Sequence, residues 1–134
     1  MANALYDSGR NAFLTGDIDW VADTIKVVLV DAADYTVNLS THDFLDDVAA
    51  GARVATATLA SKTATAGVAD AADTTFPTVS GDVSEPLVIY KDSGGEATSQ
   101  LIAYIDTATG LAVTPNGGDI VVQWDSGANK IFKL

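Results

Sequence analysis

From Ile25 to the end of the chain, short apolar and β-branched runs are cut by turn chemistry at spacings near 8–12 residues. "IKVVLVD" at 25–31, "LVIYK" at 87–91, "TSQLIAYIDT" at 98–107 and "IVVQW" at 120–124 are the clearest of them. Each is shorter than a typical buried helix and rich in Val, Ile and Tyr, which fit a pleated surface. About nine such segments predict a mainly β protein, an antiparallel sandwich or barrel. A chain of 134 residues is the size of one domain and can bury roughly two-thirds of its unfolded surface. One domain spanning 1–134 is therefore expected.

Two early segments break the period of two. Residues 2–16 read as a short helix, with Leu5, Gly9 and Phe13 at helical spacing, Tyr6 and Leu14 beside them, and Gly16 as its stop. The helix is weakly amphipathic and marginal alone, so it needs a docking partner, its own sandwich or a neighbouring subunit. Within 41–48, Thr41 reads as an N-cap to one or two helical turns carrying Phe44, Leu45 and Val48. Between these, "YTVNLS" at 35–40 alternates and is expected to pair back on the preceding strand. In 53–73 two strands joined near Ala60–Lys62 fit best, with a helix as the alternative, because Ala-rich runs report period poorly. A short edge strand is expected around Phe76, interrupted by Pro77. Leu101, Ala103 and Ile105 are expected to share one face, as are Ile120, Val122 and Trp124. "NGGD" at 116–119 reads as a hairpin turn between "LAVTP" and "IVVQW".

Charge narrows the partners. Eighteen acids against seven bases give a formal net charge of -11. Such a surface repels phosphate and anionic lipid, so neither direct nucleic-acid binding nor membrane association is expected. Hydrophobic residues make up 48% of the chain, too many for a disordered acidic tail. There is no cysteine, which excludes disulfides and thiolate metal sites. The N-terminal sequence lacks a basic region followed by an apolar core, so no signal peptide is expected. The apolar runs are too short to span a bilayer as helices.

No catalytic constellation stands out. His42 is the single imidazole, and no serine sits in a nucleophile-elbow pattern, so His42 reads as a loop residue at a helix start. Asp17, Asp19 and Asp23 form D-x-D-x-x-x-D, but Val21, Ala22 and Val28 occupy places where a calcium loop needs an oxygen ligand, Gly and Glu. They read as a solvated acidic link, and Asp43, Asp46 and Asp47 as support for a helix start. No metal or cofactor is expected. Trp124 alternates with Ile120 and Val122 and reads as core, whereas Trp20 follows a loop and is a candidate interface anchor. The C-terminal "KIFKL" reads as a strand that must be buried or paired, and an exposed apolar edge invites pairing.

The stretches "ANALYDSGRNAFLTGDIDWVADTIKVVLVD" and "LIAYIDTATGLAVTPNGGDIVVQWDSGANKIFKL" resemble small virion structural proteins of tailed bacteriophages. Within that group the likeness is to capsid cement (decoration) proteins. The resemblance implies a jelly-roll-like sandwich that forms a dimer or trimer, sits on the outer capsid surface and clamps neighbouring major capsid subunits. It would be made in the host cytoplasm and would not be an enzyme. The interface anchors implied are Leu5, Tyr6, Phe13, Trp20, Phe132 and Leu134, with Arg10 pairing a carboxylate across the interface. A tail, baseplate or fibre-adaptor component is the alternative. A carbohydrate-binding module or an enzyme on a sandwich fold is the third reading, and it would require an acidic or aromatic cleft.

Overall fold

The computed structural model of the protein describes residues 4–128 and 130–134. It opens with a two-residue strand, β1 (Ala4–Leu5), and a helix, α1 (Asp7–Leu14). β2 (Ile25–Val30) follows, then single 3-10 turns at Leu45–Asp47 and Ala50–Ala52. β3 (Arg53–Thr58), β4 (Thr63–Thr65), β5 (Val68–Asp70) and β6 (Thr74–Phe76) come next. β7 (Leu87–Lys91), β8 (Leu101–Ile105), β9 (Ile120–Val122) and β10 (Phe132–Lys133) complete the order.

The protein is mainly β, and every ladder among the described residues is antiparallel. A five-stranded sheet runs β1-β8-β7-β2-β3, beside a three-stranded sheet β10-β5-β4 and the pair β6-β9. β2 lies inside the main sheet, and Val27 to Val30 are fully buried on both faces. That explains its unbroken run of apolar residues. On one face Val27, Leu29, Leu87 and Ile89 join a core with Phe76, Ile120, Val122 and Trp124, so the small sheets close over this side. On the other face Val28, Val30, Val88 and Leu101 pack against Tyr35, Leu45 and Val48 from the long excursion between β2 and β3.

Several expectations change here. Residues 35–40 form no strand. The edges of β2 are taken by β3 and β7, so "YTVNLS" lies over the sheet instead of beside it. The N-terminal helix is shorter than residues 2–16, because Ala4 and Leu5 pair with β8 first. Of the helical turn at 41–48 only Leu45–Asp47 is helical, and Thr41 does not cap it. The "NGGD" turn joins no neighbouring strands: β9 pairs with β6, and Gly117 donates to the carbonyl of Val79. Leu101 does not share a face with Ala103 and Ile105. Tyr90 pairs with Leu101 and Ile89 with Ala103, leaving Ile102 as a bulge that resets the alternation.

α1 docks on β8 of its own chain. Tyr6 donates its backbone N–H to Ile102 O (3.0 Å). One turn later Gly9 lies directly against the bulged backbone of Leu101 and Ile102.

Candidate interaction surface

The two chain ends meet in space. The Phe132 ring packs edge-on against Trp20 (centroids 5.2 Å apart, planes at 84°) and lies 5.9 Å from Phe13. Trp20 is buried and donates its indole N–H to Asp70 O at 3.2 Å. This aromatic row ties the segments on either side of Gly16 to β10.

Around the row lies an apolar surface of two adjoining hollows. One, about 390 Å³, is lined by Phe13, Ile18, Trp20, Val68, Phe132 and Leu134, with Asp19 at its margin. The other, about 360 Å³, is lined by Leu5, Arg10, Phe13, Leu14, Lys133 and Leu134. Phe13 and Leu134 belong to both, so the surface is continuous. Leu14 is 86% exposed and Leu134 59%, the two most exposed large apolar residues among those described. The sequence-based anchors Leu5, Arg10, Phe13, Trp20, Phe132 and Leu134 thus gather on one face. Leu5 and Trp20 reach it from below, since their side chains are buried in the chain's own core. Leu14, Ile18 and Val68 belong to the same face and were not among the sequence-based anchors.

Tyr6 does not belong there. Its side chain is fully buried on the opposite face of the sheet. Its hydroxyl lies 2.8 Å from that of Tyr35, which lies 2.8 Å from His42 Nδ1. Nδ1 also accepts the backbone N–H of Asn38 (3.3 Å). His42 therefore helps hold the 31–52 cover in place, with Ser8 of α1 donating to its carbonyl.

Burial raises the Tyr6 hydroxyl far above the ordinary tyrosine range, with a further contribution from Tyr35, and pushes Tyr35 up to about 12. In the unfolded chain both hydroxyls ionise near the ordinary tyrosine value of 10.0. Stability held by this pair is therefore complete below pH 10 and falls as the pH rises above it, by about 1.4 kcal/mol per pH unit for each hydroxyl. The urea midpoint should drop steeply between about pH 10 and 12, and a Tyr6→Phe/Tyr35→Phe double variant should flatten the drop. A wild-type midpoint that stays constant over that range would refute the burial of these hydroxyls.

The acidic residues serve turns. Asp19 Oδ1 accepts the N–H groups of Val21 and Ala22, and Asp23 Oδ2 accepts the N–H of Asp19 (2.8 Å) and pairs with Lys91 at 3.2 Å. The backbone N–H of Asp19 contributes most to holding the Asp23 carboxyl below its usual range. Asp17 accepts from Thr15. In the second cluster, Asp47 Oδ2 accepts the N–H of Asp43 at 2.8 Å. The grouping that sequence spacing could not reveal is Asp31, Asp34 and Asp82, whose carboxylate oxygens lie within 4.8 Å of one another. These are the described residues best placed to share a cation, although Asp31 Oδ1 already accepts the N–H of Ala33.

No protein-family model matches this chain, and neither does any curated protein. Among the described residues, no helix is long and apolar enough to cross a membrane.

Proposed function

We propose that this is a non-enzymatic structural protein of a bacteriophage virion, a capsid cement protein that binds the assembled major capsid shell and stabilises it. The observation that supports this reading is the exposed apolar surface built from both chain ends, with Leu14 and Leu134 presented to solvent. A surface of this kind on a monomer marks a site for protein association. The rest of the chain suits an outer-shell position. Its net charge of -11 opposes adsorption to nucleic acid but not to protein. A protein that binds assembled shell and not dissociated subunits stabilises the shell by mass action, and many copies on one particle act together.

A place in the tail, baseplate or fibre adaptor uses the same surface but predicts few copies. Quantitative mass spectrometry of purified particles decides between them. A copy number close to that of the major capsid protein is the expected result. A ratio far below one would move the protein to the tail, and its absence from particles would end the virion reading.

A further inference from the structure

Seven bases stand against eighteen acids in this chain, and four of the seven are engaged within it. Lys26, Arg53 and Lys91 pair with Asp92, Glu96 and Asp23, and Lys62 donates to the backbone carbonyl of Asp23. Among the described residues the other three, Arg10, Lys130 and Lys133, form no ion pair, with a side chain or with the Leu134 carboxylate. They come from α1, from the turn before β10 and from β10, and all three line one cavity of about 330 Å³. Leu134 does not line it.

The base of this cavity is apolar, because Leu5, Ala103, Ile105 and Ile131 line it and are buried. The one acid on its wall is Asp125, whose Oδ1 accepts the N–H of Gly127 (3.0 Å). On so acidic a chain, bases are expected opposite acids. Three unpaired bases around one cavity repel one another instead, and an anion placed among them relieves that repulsion. The backbone adds a second observation. Lys130 is held at φ 49°, in the left-handed region that favours glycine or asparagine. A lysine kept in that conformation points to use of its side chain.

We propose that the cavity binds a small organic dianion, with its charge on a phosphate or on two neighbouring carboxylates and its body on the apolar base. Three cations less one carboxylate leave two positive charges, which a dianion neutralises. The Arg10 guanidinium can donate two parallel hydrogen bonds to one oxyanion, and the lysines act as point charges beside it. An adjoining hollow of about 230 Å³ shares Ile105, Asp125, Lys130 and Ile131 with the cavity and reaches Trp124, which gives the body room. The site suits a compact ligand, since an extended polyanion would meet the acidic remainder of the surface. This inference does not depend on the virion reading and needs no partner protein.

The test is a titration of the full chain at neutral pH and low salt, read by calorimetry and by backbone amide NMR shifts. The probes are phenyl phosphate, phthalate, benzoate and inorganic phosphate. Phenyl phosphate or phthalate should saturate with a dissociation constant of about 0.1–1 mM, shifting the amides of Arg10, Ile105 and Lys130. The better of the two identifies the group that carries the charge. Benzoate has one charge and inorganic phosphate has no apolar body, so each should bind about 10-fold more weakly or worse. Affinity should fall as salt is added. Arg10→Gln and Lys130→Gln should each weaken binding about 5-fold to 10-fold. Their thermal midpoints should match or exceed wild type, because removing one of three like charges relieves repulsion. Lys26→Gln is the control. Its ammonium does not line the cavity, so binding should be unchanged.

Failure of both dianions to saturate would overturn the proposal, as would shifts confined to residues away from the cavity. Equal losses from Lys26→Gln and Arg10→Gln would mean an adventitious ion only, and would overturn it too. Benzoate binding as tightly as phenyl phosphate and phthalate would show that the paired charge is not recognised.

Discussion

Gly9→Ala is expected to destabilise the protein by about 2 kcal/mol or more, although the same change in most helices stabilises. In a free helix interior alanine is favoured over glycine by roughly 1 kcal/mol. Here a Cβ on residue 9 would lie 2.6 Å from the carbonyl oxygen of Leu101 and 3.0 Å from the Ile102 Cα. Both are backbone atoms at the start of β8, which pairs with β7 and β1, so neither can swing aside as a side chain could. Relief requires α1 to lift from β8. That strains the Tyr6 N–H bond to Ile102 O and opens the packing of Tyr6 and Ala12, both buried. Overpacking of this kind costs roughly 1–3 kcal/mol before propensity is counted, and more where the backbone is the obstacle. A thermal midpoint lower by about 8 °C is the expected measurement for a domain of this size. Gly51→Ala is the control. A Cβ there meets nothing within 4 Å, so the change should be neutral or slightly stabilising, by up to about 1 kcal/mol. Equal effects at the two positions would mean that α1 does not seat on β8 as described.

Gly9 also shows what local patterns in this sequence conveyed. Leu5, Gly9 and Phe13 mark a helix by spacing, but the need for glycine comes from a bulge at Ile102, ninety-three residues later. β7 was legible to the residue, and β8 as the middle of a longer run at 98–107, because buried strands are continuous, β-branched and bounded by turn chemistry. "YTVNLS" was half legible. Its period of two survives, with Tyr35 buried and Val37 and Leu39 partly so. Its backbone bonds elsewhere, Leu39 O accepting the N–H of Asp7 (2.9 Å) and Asn38 O that of His42 (3.0 Å). Alternation reports which side chains face the core, and not which strand lies alongside. The β4–β5 hairpin escaped for a different reason. Its turn holds Ala66 at φ 53° and Gly67 at φ 79°, a pair of left-handed residues that sequence signals as Asn-Gly or Asp-Gly far more often than as Ala-Gly. For the interaction surface, apolar residues at both termini pointed to anchors. Only the fold brings Phe13, Phe132 and Leu134 together, while taking Tyr6 away to the other side of the sheet.

Deleting Ile131–Leu134 is expected to cost about 4 kcal/mol, a large share of the roughly 5–15 kcal/mol that holds a domain together. Ile131 is buried in the core beneath the small sheets. Phe132 contributes the middle ring of the aromatic row, and Trp20 and Phe13 lose its contact. The N–H groups of Ile131 and Leu134 donate to Ala69 O (3.1 Å) and Gly67 O (2.9 Å), so β5 loses one edge. What remains of that sheet is the two-stranded hairpin β4–β5, a unit marginal on its own. The urea midpoint should fall, and the newly exposed apolar surface should bring aggregation. Leu134→Ser separates the two tasks of this segment. Leu134 is exposed, so its loss should change monomer stability by less than about 0.5 kcal/mol while weakening association at the apolar surface. If the truncated chain melted with wild type, β10 would not be part of the core. If Leu134→Ser cost as much stability as the truncation, the last residue would be internal packing and the surface that depends on it would lose its anchor. This segment thus closes the fold with Ile131 and Phe132 and presents Leu134 outward.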